Sequence, residues 1–204
     1  MSTFVLETDR LILRHLEWSD LDALHAILSD PDVMRYIGNG RAKSRQQTER
    51  LLGLWIADNE RAWDEHTLAR VPQLRRAIER DAHLSLWGTV EKRTKQLIGR
   101  CGLLAWDLEG RKEVEVGYVL AKSHWGRGYA TEIAGAIREY GFGRLGFSRL
   151  ISLIQPGNVA SQRVALKTGM RHEQDVKVGE IPAMLFAVER GGATEEKKRL
   201  SEGV

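Results

Sequence analysis

The chain has 204 residues, 42% of them hydrophobic and 29% charged, and its 31 Lys and Arg against 28 Asp and Glu leave a formal charge of only +3. Such usage fits one ordinary globular domain and excludes collagen-like, disordered and disulfide-scaffold chains. A sequence pI of about 9.1 points mildly to an anionic ligand and only weakly to nucleic acid, which is not expected as a direct partner.

Cys101 is the single cysteine, so an intramolecular disulfide is excluded and a reducing compartment is favoured. The opening MSTFVLETDR lacks a basic segment followed by an apolar stretch, and no apolar window approaches about 18 residues. A cytoplasmic location without membrane contact is therefore the expectation. The six His are scattered without ligand spacing, so no metal is expected. Residues 1–190 read as one domain, followed by a polar tail over residues 191–204.

In chain order, residues 8–16 (TDRLILRHL) read as one strand. Ser19 then predicts a helix cap, with Asp22 three positions on as in a capping box, and Leu21, Leu24, Ile27 and Leu28 share the buried face. Pro31 ends that helix, because its ring disfavours helical geometry at Asp30. Residues 44–82 carry Leu51, Leu54 and Trp55, then Leu68, Val71, Leu74 and Ile78 at helical spacing around Pro72, which predicts two or more helices.

The periodicity then changes. HLSLWGTVEK, QLIGRCGLLAWD and EVEVGYVL read as three antiparallel strands joined by short polar turns. SHWGRGYAT is a Gly-rich loop leading into a helix with Ala130, Ile133, Ala134, Ile137 and Tyr140 on one face. RLISLIQ is a further strand, residues 159–167 a helix, and residues 171–177 and 183–189 two last strands. The order β-α-α-βββ-α-β-α-ββ predicts an α+β fold around one mixed, mostly antiparallel sheet of six to seven strands.

Gly126 and Gly128 stand between a strand and a helix, where backbone amides can address an anion; a plain turn before a helix would look the same. A dinucleotide fingerprint lacks its third glycine and its acidic partner, and a nucleotide P-loop lacks its GK[ST] ending. Cys101 sits in an apolar strand and reads as core, as do most of the Trp residues.

The segments ETDRLILRHLEWSDLDALHAILSDPDVMRYIG, QLIGRCGL, EVEVGYVLAKSHWGRGYATE and NVASQRVALKTGM, in this order, resemble the GNAT superfamily of acyl-CoA-dependent N-acetyltransferases, nearest its RimJ/RimL-like branch. The resemblance spans residues 4–190. It implies acetyl-CoA as acyl donor, an amine acceptor (a small molecule or a protein N-terminus) and a homodimer. Its pyrophosphate cradle would be the backbone of Trp125, Gly126, Arg127, Gly128, Tyr129 and Ala130. Trp125 departs from the usual Gln or Arg, a side-chain change in a cradle made of backbone. By the same resemblance Val119 and Leu120 offer backbone groups to the pantetheine arm.

Direct attack of an amine on a thioester needs a proton acceptor, an oxyanion site and a proton for the leaving thiolate. Glu115 is the first candidate for general base, its alternative being a strand Glu paired with Arg100. Glu173 is the rival base. Asn158 reads as a helix N-cap, and the resemblance adds a place near the pantetheine for it and a proton donor's role for Ser161, since Ala165 stands where many relatives carry Tyr. Residues 57–82, long and mixed in charge, are where acceptor specificity is expected. The alternative to an enzyme is a non-catalytic acyl-CoA-binding domain; Glu115, Asn158 and Ser161 together favour the enzyme.

Overall fold

The computed structural model describes residues 4–62 and 85–191. Most of the stretch 57–82, and the tail beyond residue 191, lie outside the described residues.

Eight strands form one sheet: β1 (Phe4–Glu7), β2 (Leu11–Arg14), β3 (Leu86–Glu91), β4 (Leu97–Leu108), β5 (Arg111–Leu120), β6 (Arg149–Ile154), β7 (Arg171–Val178) and β8 (Ile181–Glu189). They are ordered β1-β2-β3-β4-β5-β6-β8-β7. All neighbours are antiparallel except β5 and β6. Among the described residues the helices are α1 (Leu21–Leu28), α2 (Pro31–Met34), α3 (Arg45–Ala62), α4 (Tyr129–Gly143) and α5 (Val159–Lys167).

The α+β class and the order of the last eight elements agree with the sequence reading, but the N-terminal part is richer. The strand expected over residues 8–16 is β2, shorter at both ends, and a further strand, β1, precedes it: the two pair as a hairpin whose turn is closed by Thr8 N–H donating to Leu11 O at 2.9 Å. β1 carries no clean alternation of burial, so the sequence pattern passed over it and undercounted the sheet. Nor does Ser19 cap a helix. Glu17 and Asp20 form a reciprocal capping box around a single 3-10 turn, Trp18–Asp20, and α1 follows directly. Arg14 fixes that turn by a two-pronged bond to Asp20, both prongs 2.7 Å.

Alternation along the strands gives the sheet two apolar faces. One packs Trp87, Leu103, Val114 and Val116 against Ile133, Ala134 and Ile137 of α4 and Ala165 of α5. The other packs Val119 against Leu24, Ile27 and Leu28 of α1, Val33 and Met34 of α2 and Leu52 of α3. Cys101 is fully buried in the first, and burial pushes its thiol up to about 12, as a structural cysteine requires.

Candidate active site

The two parallel strands part almost as soon as they meet. β5 and β6 share one pairing, Glu115 with Ile151, and beyond it they diverge. Ala121 N–H donates to Ile98 O on β4, so alternation turns the backbone of Val119 and Gly117 toward β4 and that of Leu120, Tyr118 and Val116 toward the opening. This corrects the expectation for Val119. Its backbone serves the sheet and the residue only lines the opening, while Leu120 keeps the expected orientation and Tyr118 joins it.

Glu115 closes the fork. Its carboxylate accepts Leu153 N–H of β6 at 3.2 Å and the indole Nε1–H of Trp106 of β4 at 2.7 Å. Burial pushes its carboxyl up to about 7, and the two donors only moderate that rise. Arg100 stands nearby as a favourable charge without an ion pair, so the strand-pairing alternative for Glu115 is not what the structure adopts. Trp106 is a site residue that sequence reading assigned to the core, since nothing in its apolar strand marks the indole N–H as a carboxylate donor.

The Gly-rich loop lies beside the opening. Gly126 and Gly128 adopt φ of +73° and +80°, left-handed geometry that favours glycine, and Gly128 is the N-cap of α4 without any side-chain cap. The first amides of a 15-residue helix are thus left facing the cavity mouth. From behind, Arg10 braces the loop: its Nη1 donates to Arg127 O at 2.9 Å, its guanidinium lies 4.3 Å over the Tyr129 ring, and it pairs with Glu132 at 2.6 Å. Trp125 is half-exposed and donates its indole N–H to Leu120 O at 2.9 Å, tying the loop to the end of β5.

A cleft of about 650 Å³ runs from this loop past Tyr118, Val119 and Leu120 to Asn158 and Val159. A second cavity, of about 240 Å³, continues through the fork and holds Glu115, Trp106, Arg100, Tyr118, Asn158 and Ser161. Asn158 caps α5 by accepting Ser161 N–H at 3.2 Å. The Ser161 side chain meets the phenol of Tyr118, whose pKa burial raises and Ser161 pulls back. Tyr118 is the second residue that sequence reading passed over.

Glu173 is elsewhere. Arg149 grips it at 2.6 Å together with Glu113 at 3.1 Å and Glu189 at 2.9 Å, and the guanidinium holds the Glu173 carboxyl below the usual range. A carboxylate so paired is a poor proton acceptor at neutral pH, and it does not line either cavity. Among the described residues no cluster of His, Cys, Asp or Glu forms a metal site, and no helix is long and apolar enough to cross a membrane.

A mixed sheet that opens between two parallel strands, with a glycine cradle at the mouth of the opening, is the architecture of the GNAT fold. The family model described as "Acetyltransferase (GNAT) domain" matches residues 10–171, and the chain belongs to that family. It is 35% identical to the Bacillus subtilis protein YkkB over 89% of this chain and 93% of that one. It is 34% identical to the uncharacterized N-acetyltransferase YoaA of Bacillus subtilis, covering 83% of this chain and 84% of that one. The structure of RimL, a ribosomal L7/L12 alpha-N-protein acetyltransferase in complex with coenzyme A, shares the fold with a TM-score of 0.68 at 16% identity, over 91% of this chain and 97% of that one.

Proposed function

We propose that residues 1–190 form a single acetyl-CoA-dependent N-acetyltransferase of the RimJ/RimL-like kind, passing acetyl from the thioester directly to a primary amine. The observation that carries this reading is the position of Glu115, a buried carboxylate at the fork where the loop-side cleft meets the second cavity. RimL, which binds coenzyme A, supports the choice of donor.

In this reading the amides from Trp125 to Ala130 and the N-terminus of α4 hold the pyrophosphate, where an added positive end of a helix dipole suits its charge. The opening-facing backbone of Tyr118 and Leu120 pairs with the pantetheine amides as a neighbouring strand would. One of these N–H groups also stabilises the thioester oxygen as it becomes an oxyanion. Glu115 takes the proton from the attacking amine while the new C–N bond forms. As the C–S bond breaks, Ser161, backed by Tyr118, gives the thiolate its proton.

Both catalytic groups and the cradle address one continuous space, which favours turnover over mere binding of acyl-CoA. Calorimetric titration with acetyl-CoA, with NADH and ATP as controls, tests the donor site, and a thiol-release assay over an amine panel tests the transfer. Selective binding of acetyl-CoA with amine-dependent thiol release is expected. Equal binding of the controls, or binding without release for any amine, overturns the reading.

A further inference from the structure

Arg100 is a partly buried cation without a carboxylate partner among the described residues. Its Nε is shut off from solvent and finds no hydrogen-bond acceptor. Among the described residues no carboxylate comes within the 4.0 Å of an ion pair; the guanidinium instead lies 4.8 Å over the ring of Trp55 on α3. Burial brings its pKa down to about 10, so it stays charged at neutral pH. Leaving a buried guanidinium N–H without an acceptor is unfavourable unless something else supplies one.

Its position shows where that anion would sit. In the β4–β5 register Arg100 stands opposite Val119, and Leu104 opposite Glu115, so Arg100 and Glu115 project from one face of the sheet. Between Glu115 and Val119 on that face is Gly117, which has no side chain to fill the floor. The cavity over it, about 240 Å³, is walled by apolar groups such as Ile37, Leu104 and Ile181. Arg100 and Glu115 are the charged side chains among the described residues that line it. One cavity therefore presents a proton acceptor for an amine and, apart from it, a planar guanidinium with free donors.

We propose that Arg100 is an acceptor-specificity residue that receives a carboxylate, so that the preferred acceptors are small primary amines bearing a carboxylate, namely amino acids and their short derivatives. This rests on the reading that the amine meets the thioester at Glu115. The guanidinium fork matches a carboxylate in two-pronged fashion, and a buried site built for that pairing discriminates strongly against a ligand that lacks it. A polyamine would instead bring a second cation against Arg100, a repulsion that selects against it. The cavity volume suits a ligand of amino-acid size.

The test is thiol release by the full-length protein with matched acceptors: α-, β- and γ-amino acids, each beside its carboxamide and its decarboxylated amine, with spermidine added. For at least one amino acid, kcat/KM should exceed that of its carboxamide and its decarboxylated amine by about 10- to 100-fold. R100Q should erase the preference by raising KM for the acid more than for the carboxamide when both are compared on the alkaline plateau, where loss of the Arg100 charge no longer changes the ionisation of Glu115, and should keep acetyl-CoA affinity in the calorimeter; R100K should restore part of the preference. Equal use of acid and carboxamide, turnover confined to spermidine or other amines without a carboxylate, or no turnover of any acid while acetyl-CoA binds, each overturns the proposal and leaves the donor site standing. Loss of acetyl-CoA binding in the unsubstituted protein would instead overturn the acetyltransferase reading beneath it. The comparison within the unsubstituted protein needs no variant, so a misfolded R100Q leaves it decisive.

Discussion

The indole of Trp106 donates to Oε2 of Glu115 at 2.7 Å, and Leu153 N–H donates to the other oxygen at 3.2 Å. The carboxyl at the fork is thus held in place by a strand on either side of it. Its pKa, pushed by burial to about 7, sets the pH dependence. The base must be ionised to accept a proton, and a raised pKa keeps it protonated below neutrality, so kcat/KM should climb through a limb centred near pH 7. Glu115→Gln should lower turnover by about 100-fold and remove that limb while acetyl-CoA affinity holds. A pH series of thiol release, read alongside calorimetry, checks both.

Trp106→Phe isolates the hydrogen bond. A donor to the carboxylate favours the charged form, so its removal should move the limb further above pH 7. The rate on the alkaline plateau should change little, because Phe keeps the packing and Glu115 stays at the fork. A limb that moves down instead would mean that the indole does not govern the carboxyl.

Gly128→Glu tests the cradle. At φ of +80° any side chain strains the backbone, by about 1–2 kcal/mol, and the added Cβ would come within 3.5 Å of Arg10 Nη2. The larger effect is a negative charge where the helix amides await an anion. Acetyl-CoA binding should be lost while circular dichroism stays that of the folded protein, and unchanged affinity would move the pyrophosphate elsewhere.

The sequence carried the elements with strong local patterns. The three-strand meander, α4 and the loop between them are written in alternation, in 3.6-residue spacing and in two glycines whose φ the structure finds positive. The β1–β2 hairpin was not legible, because β1 lacks a clean alternation of burial and its turn is held from α4, where Glu132 binds Arg10 and Thr8 from far along the chain. The strand position of Glu115 and the capping position of Asn158 were readable, but the gathering of Trp106, Tyr118 and Arg100 around one cavity depends on the splaying of β5 from β6. Splaying is a tertiary event; a Trp or Tyr in an apolar strand looks the same with or without it. Glu173 shows the converse, an acidic residue at a plausible distance in sequence that Arg149 claims in space.

Trp125 replaces a polar residue of the family pattern, and its indole N–H goes to Leu120 O rather than toward the cleft. Trp125→Gln should therefore keep acetyl-CoA affinity within about threefold, since the cradle is backbone and the lost bond is a half-exposed one worth about 1 kcal/mol. A much larger loss in the calorimeter would show that the tie between loop and β5 sets the geometry of the opening.

Tyr118 and Ser161 reach the cavity from different elements, one from β5 and the other from the first turn of α5, and they meet there, where the proposed function puts the departing thiolate. With Ala165 in place of the tyrosine common one turn further along that helix, the phenol of Tyr118 is the one brought to Ser161 from the sheet. If the pair passes one proton, either hydroxyl alone is of limited use. Tyr118→Phe and Ser161→Ala should each lower kcat by about 10-fold, and the double variant should be little worse than either single one, the non-additivity that marks groups acting as a unit. Acetyl-CoA affinity should stay constant, because neither hydroxyl belongs to the cradle. A synthetic acetyl thioester whose thiol has a low pKa should recover most of the lost rate in both variants, since such a thiolate leaves without help. Additive losses, or losses that persist with the better leaving group, would assign Asn158 and Ser161 to capping α5 and Tyr118 to lining the cavity.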